Sequence, residues 1–529
     1  MEIPAVVPLA TWISFCVVFV LALVYSFFYI RHYQSKYHSE CSSSLAAIFS
    51  LTVTLMSIAL VPIDVFVVSF MKDENGNYTQ WAESNSTRQH LEDTLLYSYY
   101  ALYACITVCF FMIIPFTLFY YEEGDEDTTT KQRICTALKY TSCFLFAAGV
   151  LLVIGAFVPL QSIPEDKNIS NWQEFQFLVN ELGDSKGETA LYFLVGAITL
   201  LGTLGIIVYT SYGMSAWPID NIRGFRNAKE ELQEVQDEAR ANKEQRRHIR
   251  KKYRENRKKM SSRDKDRLDN LQDEEDLIQR KERHLVTIQK SLWYKCGVCW
   301  RPFQVVLGIA LIPMGILVFI SLILTSVDRF KHSLGAKTGY VLPERHYPNP
   351  IDMFLLLCQQ VFPLDYIFFV GLVVYFLFAS MAGIRRIGIW FCCVKMYKIR
   401  PHKTKPQGLL FLCLIMMCVI LALNVMLYTL APEYMTYGNQ KYIPSNSTTP
   451  VQCTTAIKDC TMTVTTALLT KFVFQLWFFG ACYYWANWVF LAFILIALLV
   501  ALIKKRRSTI EGEVDASDTD DSDVEPLNL

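Results

Sequence analysis

Two aspartates stand inside long apolar stretches of this chain, where an ionisable side chain is costly. Asp64 follows Pro62 and Asp365 follows Pro363, in each case with one apolar residue between them. A proline frees a backbone carbonyl in a membrane helix, so each pair places unpaired oxygens near a carboxylate. The pattern fits a proton- or cation-sensitive site or the wall of a substrate path. It equally fits two carboxyls that hydrogen-bond neighbouring helices and fix their packing.

Three uncharged polar residues also fall in predicted spans and can line the same interior. They are Gln359, Gln360 and Asn424. Together with Asp64 and Asp365 they form the candidate intramembrane polar site. The two alternatives stated for the aspartates, a functional path and plain packing, stay open for these three side chains as well.

Motifs of soluble enzyme chemistry are absent from the sequence. There is no G-x-x-x-x-G-K-[ST] phosphate loop, no H-E-x-x-H zinc motif and no G-x-S-x-G nucleophile elbow. All eight histidines lie outside the predicted membrane spans, which argues against a haem held within the bundle. We therefore predict no enzyme, no catalytic residues, no metal site and no intrinsic cofactor.

The composition indicates lipid as the solvent for most of the chain. Of 529 residues, 53% are hydrophobic, 14% aromatic and only 19% charged. A helix needs roughly 20 apolar residues to cross the hydrocarbon core of a bilayer. Nine stretches meet this length, at about 8–30, 45–70, 97–121, 135–160, 189–212, 302–326, 353–379, 408–431 and 470–503. The sequence predicts an all-α polytopic membrane protein in which internal prolines mark kinks of the spans rather than ends.

Charge and glycosylation signals predict the same orientation. Basic residues crowd the loop 383–405 and the segment 504–507, which places both in the cytosol by the positive-inside rule. With nine spans, the N-terminus then lies on the lumenal side and the C-terminus in the cytosol. Three loops of lumenal parity carry the N-glycosylation sequons. The predicted acceptors are Asn77, Asn85, Asn168 and Asn446.

The long segment 213–301 separates the first five spans (1–212) from the last four (302–503). It is charged, poor in Pro and Gly and rich in helix formers, so we predict a cytosolic helical hairpin that breaks near residues 261–262. Its basic run 246–259 is either a patch for lipid phosphates or nucleic acid, or a solvated helix face balanced by acids. A net charge of +1 gives no indication of nucleic acid. The acidic tail 504–529 is expected to be disordered.

Three local patterns give further predictions. Cys453 and Cys460 share a predicted lumenal loop, where a disulfide is expected. The run from Asp273 to Leu277 and Ile278 fits an acidic-dileucine sorting signal, although leucines at that spacing in a hairpin also serve as packing residues. The segment 387–399 interleaves aromatic and basic residues and is predicted to be an interfacial amphipathic helix.

The chain resembles the lysosomal cobalamin transport escort proteins, a branch of the limb-region/lipocalin-receptor membrane protein family. The resemblance covers nearly the whole length and shows most clearly at 61–72, 155–160, 212–218, 281–285, 380–390, 406–413 and 487–490. It implies nine spans with a lumenal N-terminus, residence in the lysosomal membrane and a role in moving cobalamin to the cytosol. It also implies an ABC transporter as the partner that supplies the ATPase, a cytosolic cobalamin chaperone, and contact with clathrin adaptors.

Cobalamin enters these expectations as cargo and not as a cofactor. The D-x-H-x-x-G signature of cobalamin enzymes is absent, so no motif supports direct binding of the vitamin. This favours an escort that delivers a transporter over a transporter in its own right. The alternatives are a transporter or channel whose path is lined by Asp64 and Asp365, and an endocytic co-receptor that binds adaptors through Leu277 and Ile278.

Overall fold

The computed structural model describes residues 6–35, 41–73, 75–123, 129–157, 186–256, 261–290, 292–340, 342, 345–361, 363–391, 394–444, 450–453, 460–470, 477–504, 506 and 508–509. The helices of the first half are α1 (Val6–Tyr33), α2 (Cys41–Ser69), α3 (Asn85–Val108), α4 (Ile114–Glu122), α5 (Thr130–Phe157), α6 (Lys186–Gly205), α7 (Ser211–Arg223), α8 (Ala228–Asn256) and α9 (Ser262–Lys290). Those of the second half are α10 (Leu292–His332), α11 (Pro350–Cys358), α12 (Leu364–Ile387), α13 (Pro406–Leu430), α14 (Pro432–Tyr437), α15 (Val464–Leu469) and α16 (Trp477–Ile503).

Over these ranges, nine helical segments are long and apolar enough to cross a membrane. They are Phe15–Tyr33, Cys41–Ser69, Asn85–Glu122, Thr130–Phe157, Thr189–Arg223, Trp300–His332, Leu364–Ile387, Pro406–Leu430 and Phe478–Ile503. The predicted all-α polytopic fold with nine transmembrane helices is confirmed. The chain divides into two compact units, 1–215 with 314–499 and 216–313 with 500–529.

The core of the first unit is built around α2 and α13. In their most apolar windows 89% and 83% of the residues are buried, against 17% in α1 and in α5. A helix that is apolar all round and buried all round must pack against other helices on every side. The outer helices turn their large apolar side chains outwards, as lipid-facing helices do.

Glycines allow the closest helix crossings in this unit. A Cβ on Gly213 would lie 1.8 Å from the carbonyl oxygen of Ala379, and one on Gly383 would lie 1.9 Å from that of Tyr209. These contacts are reciprocal, because α7 presents Gly213 to the backbone of α12, and α12 presents Gly383 to the π-helical turn Ile206–Thr210 that leads into α7. Small residues at such crossings let membrane helices approach closely and gain dispersion contacts.

The prediction of one continuous seventh span over 353–379 is wrong. The chain forms a short helix, α11, then a bend through Gln359 and Gln360, and the span α12 begins only at Leu364. Pro363 lies directly before α12 and ends the bend, because proline lacks the N–H that a continuous helix would need and restricts the residue before it. Pro62 and Pro313, in contrast, lie inside helices as predicted.

The predicted interfacial helix over 387–399 is also wrong. Strand β1 (Ile389–Phe391) pairs antiparallel with β2 (Val394–Tyr397). The helix α12 stops because Gly388 adopts φ 84°, a left-handed conformation that favours glycine. The β-branched and aromatic residues that follow suit a strand as well as an interfacial helix. A second short hairpin joins β3 (Lys441–Tyr442) to β4 (Val451–Gln452).

The second unit contains the predicted helical hairpin, which is confirmed. Helices α8 and α9 pack antiparallel around a small apolar cluster, which comprises Ala228, Val235, Ile278 and Leu285. Polar pairs continue along the hairpin, where Gln236 donates to Glu282 at 3.0 Å and Asn242 to Glu274 at 3.2 Å. Arg246 pairs with Glu275, and Lys252 lies 3.1 Å from Asp264. Partner acids therefore balance at least this part of the basic run.

The last residues of α16 belong to the same unit. Arg223 donates to the carbonyl oxygens of Ala501, Leu502 and Lys504, each at 2.9 Å. Terminal carbonyls of a helix have no partner within the helix, and a guanidinium satisfies both their hydrogen bonds and the negative end of the helix dipole. The acidic tail from residue 510 lies outside the described residues, so its predicted disorder stays a prediction.

Candidate functional site

Asp64 is a fully buried carboxylate that caps a short helix. It lies on α2, and its oxygens accept hydrogen bonds from the first turn of α15. The donors are the Thr465 amide at 2.7 Å, the Thr465 hydroxyl at 2.7 Å and the Val464 amide at 3.3 Å. Because the Thr465 hydroxyl donates to Asp64, the hydroxyl of Tyr99 that contacts it is the donor in that second bond. A carboxylate at a helix N-terminus satisfies free amides and the helix dipole together.

The segment that carries these donors is also held by contacts that precede α15. Thr463 is the N-cap of α15, with its hydroxyl accepting from the Thr466 amide at 3.3 Å. Before it, a disulfide joins Cys453 to Cys460, next to buried Tyr437. The side-chain amide of Gln440 then bridges to the backbone of Thr461, donating at 2.7 Å and accepting at 3.1 Å. The capping geometry therefore does not depend on Asp64 alone.

Asp365 lies in the first turn of α12 and is also buried. Its carboxylate accepts a hydrogen bond of 3.1 Å from the hydroxyl of Tyr434, which belongs to α14. The proline before α12 starts the helix there, and a carboxylate in the first turn is favoured by the helix dipole. The bend at residues 359–363 thus explains the position of Asp365.

The sequence analysis missed a third buried carboxylate, Asp352. It lies on α11, outside the nine candidate spans, and accepts from the Tyr434 amide at 3.3 Å. Its other oxygen lies 3.5 Å from the guanidinium of Arg345. Burial raises the pKa of Asp352 to about 7; the Arg345 charge opposes this rise, whereas nearby Glu433 adds to it. Tyr434 therefore connects Asp352 and Asp365.

A local signal for Asp352 was present in the sequence. Asn349 caps α11 by accepting from the Ile351 amide at 3.0 Å, with Pro350 at the start of the helix. An Asn, a Pro and an acid in succession are typical of a helix N-terminus. The Asn349 side chain also donates to the Leu430 carbonyl at 2.6 Å, which ties α11 to the end of α13.

The five residues of the predicted polar site do not form one cluster. Asp64 and Asp365 bond to different elements, α15 and α14, although Phe66 and Tyr366 bring their helices into ring contact at 5.2 Å. Within the described part of the chain, no hydrogen bond joins the two aspartates. The remaining three predicted residues are scattered, with Gln359 half-buried and Gln360 exposed in the bend, and Asn424 buried in α13 with an unbonded side-chain oxygen.

The other predicted residues are placed as follows. Of the sequon asparagines, Asn77 and Asn85 are exposed, and Asn168 and Asn446 lie outside the described residues. In the sorting pattern, Asp273 is exposed, Leu277 is half-buried and Ile278 is packed in the hairpin core. An adaptor would need the hairpin to open before it could bind Ile278, so the sorting signal stays a prediction.

One cleft within the first unit is polar at its edges. It lies between α13, α16 and the π-helical turn Ile206–Thr210, and Thr203, Thr429 and Asn487 contribute polar groups to its lining. Its volume is about 30 Å³. A cleft of this size has room for solvent.

Comparison with known proteins decides the family. Residues 11–297 match the family model described as LMBR1-like membrane protein. The chain belongs to this family. A probable lysosomal cobalamin transporter of Nematostella vectensis is 42% identical over 546 residues, covering 99% of this chain and 100% of that protein. The lysosomal cobalamin transport escort proteins of Gallus gallus and Mus musculus are each 43% identical, covering 98% and 97% of this chain and 97% of their own lengths. No solved structure matches the chain.

Proposed function

We propose that this chain is a lysosomal membrane protein that supports export of cobalamin to the cytosol by escorting an ABC transporter. The observation that carries the proposal is similarity over nearly the full length to relatives whose names state lysosomal cobalamin transport and escort. Nearly every residue of those relatives has a counterpart here.

The geometry of the carboxylates supports an escort more than a conduit. A residue that binds a moving ion or solute needs free lone pairs facing a path. The oxygens of Asp64 instead accept hydrogen bonds from three donors of α15, and Asp365 accepts one from a tyrosine. In this account both aspartates hold the bundle together, and the transported vitamin passes through the partner.

One specific observation favours a transporter: the Nematostella vectensis relative is named a probable lysosomal cobalamin transporter. The buried position of Ile278 makes the endocytic co-receptor the weakest of the three alternatives. In the favoured assignment, the ABC transporter supplies ATP hydrolysis and a cytosolic cobalamin chaperone receives the vitamin. Clathrin adaptors enter only if the hairpin opens.

For the orientation we propose a lumenal N-terminus and a cytosolic C-terminus. The disulfide between Cys453 and Cys460 supports this, because such bonds persist in oxidising compartments. The turn that precedes Asn77 lies against the β3–β4 hairpin, which leads to Cys453. A Cβ on Gly76 in this turn would be 3.2 Å from the Tyr442 backbone. One surface therefore carries the disulfide and an exposed sequon. The helical hairpin α8–α9 then lies in the cytosol.

The proposal is tested in cells from which this chain is deleted. Labelled cobalamin taken up by endocytosis should accumulate in lysosomes and return to normal when the wild-type chain is expressed. An affinity tag on the wild-type chain should co-isolate an ABC transporter from lysosomal membranes. Normal cobalamin release without the chain would refute the role in export, and restored release with no associated transporter would refute the escort.

A further inference from the structure

Two histidines and a carboxylate meet at the C-terminal end of α10, in the first unit. Asp328 and His332 are four residues apart and therefore share one face of the helix. His346 comes from the segment that follows. A carboxylate oxygen of Asp328 and one ring nitrogen of each histidine all lie within 4.8 Å of one another. This cluster is separate from the carboxylates Asp64 and Asp365.

The three side chains are held in place by their own contacts. The carboxylate of Asp328 is buried, and one oxygen lies 2.8 Å from Nδ1 of His332. The other oxygen accepts from the His346 amide at 3.2 Å. The two imidazole rings stack with centroids 4.0 Å apart and planes 16° apart. One buried carboxylate thus contacts the His332 ring and the His346 backbone.

The segment that carries His346 is anchored to α10 on its far side as well. Lys331 donates to the hydroxyl of Tyr347 at 3.2 Å, and the side chain of Asn349 donates to Thr325 at 3.2 Å. Ser321 donates to the oxygen of Asn349 at 2.6 Å. The position of His346 next to α10 therefore follows from packing and not from an unattached loop.

We propose that Asp328, His332 and His346 bind a divalent transition-metal ion, Zn²⁺ or the chemically similar Co²⁺. Imidazole nitrogens suit Zn²⁺, and two histidines with one carboxylate leave positions for water. With bonds of about 2.0 to 2.2 Å, ligand atoms of a tetrahedral site lie roughly 3.3 Å apart. Closing from 4.8 Å needs a shift of up to about 1.5 Å, and the exposed His346 ring must also turn out of its stack on His332 so that both ring nitrogens face the ion.

The surroundings distinguish this site from one for Ca²⁺ or Mg²⁺. Those hard ions take oxygen ligands, and two of the three groups here are imidazoles. The nearby guanidinium of Arg345 lies 3.5 Å from the carboxylate of Asp352. That carboxylate offsets the positive charge of Arg345 and so reduces its repulsion of a metal ion. A second histidine pair, His32 and His402, lies with rings 5.2 Å apart. Among the described residues no third metal-ligating side chain completes that pair, which makes it the matched control.

The test uses the purified full chain in detergent after treatment with a chelator. Co²⁺ is titrated while visible d–d absorption is recorded, and bound metal is counted by elemental analysis. The wild type should bind one Co²⁺ at this site with the absorption of a nitrogen- and oxygen-ligated ion, and Zn²⁺ should displace it. His346→Gln should weaken binding at least tenfold, and His332→Gln/His346→Gln should abolish the absorption. His32→Gln/His402→Gln should bind like the wild type.

Thermal unfolding separates loss of a ligand from loss of the fold. Zn²⁺ should raise the Tm of the wild type and of the His32→Gln/His402→Gln control, and it should leave that of His332→Gln/His346→Gln unchanged. Without metal, all three proteins should unfold at similar temperatures. The proposal is overturned if the wild type shows no Co²⁺ absorption, or if His332→Gln/His346→Gln binds Co²⁺ as the wild type does.

Discussion

Replacing Asp64 by Asn should destabilise the protein far more than the same change at Asp365. The Asp64 carboxylate accepts from two amides, at 2.7 and 3.3 Å, and from a hydroxyl at 2.7 Å, all buried. An asparagine offers one oxygen, so its NH₂ group must face at least one of these donors. A buried donor left unpaired costs roughly 1–3 kcal/mol, and each bond to a charged group that becomes neutral loses about 1 kcal/mol. The uncharged asparagine avoids the cost of burying a charge, which offsets part of this loss. The free energy of unfolding should therefore fall by about 2 to 4 kcal/mol at pH 7.5.

Asp365→Asn is the matched control for this prediction. The Asp365 carboxylate accepts a hydrogen bond of 3.1 Å from the Tyr434 hydroxyl, and an amide oxygen can accept that bond as well. We expect a loss of at most about 1 kcal/mol. Free energies of unfolding are measured by denaturant titration in mixed micelles, followed by tryptophan fluorescence. A double-mutant cycle with Thr465→Val should give a coupling energy above about 1 kcal/mol, because both changes act on the same bond.

If Asp64→Asn proves as stable as Asp365→Asn, the Asp64 carboxylate contributes nothing as a helix cap. A folded, stable Asp64→Asn protein that fails to support cobalamin release would point to a different conclusion. The carboxylate would then act on a solute, and the conduit would lie within this chain.

Three further predictions concern the bundle and its loops. Gly383→Ala should lower the free energy of unfolding by about 1–3 kcal/mol, because the new Cβ would lie 1.9 Å from a carbonyl oxygen. Gly371→Ala on the same helix is the control: its Cβ would meet nothing within 4 Å, so the same titration should show no change. Cys453→Ser/Cys460→Ser should lower the free energy of unfolding by about 2 to 3 kcal/mol under oxidising conditions and by nothing in reductant. Asp352 binds its proton more tightly in the folded than in the unfolded protein. It should therefore stabilise the fold in acid and lose that contribution between about pH 4 and 7. The Tm difference between wild type and Asp352→Asn, measured at pH 5 and 7.5, isolates the contribution of this carboxyl.

The membrane spans and the helical hairpin were predictable because their signals are local. An apolar stretch of sufficient length must be a helix in lipid, and a charged stretch without Pro or Gly between spans favours helices that pair. Both inferences use residues close together in the sequence. They therefore needed no knowledge of which helix packs against which.

The partners of the buried carboxylates were not predictable in this way. Asp64 and Thr465 lie 401 residues apart, and nothing in the sequence of either segment indicates that the two residues are in contact. The hydropathy pattern suggested one span across the bend before α12, because apolar residues continue through it. Gly388 was the local cue for the end of α12, but the aromatic and basic residues after it suit an interfacial helix equally well. The spacing of Asp328 and His332 was visible, yet only the fold brings His346 beside them.

The escort assignment is tested most directly by measuring two quantities together in cells that lack this chain. One is the fraction of the ABC transporter found in the lysosomal membrane, and the other is cobalamin efflux from isolated lysosomes. We predict that both fall without the chain and that both recover with the wild type and with Asp365→Asn. A transporter that remains fully lysosomal while efflux is lost would contradict the account and assign passage of the vitamin to this chain.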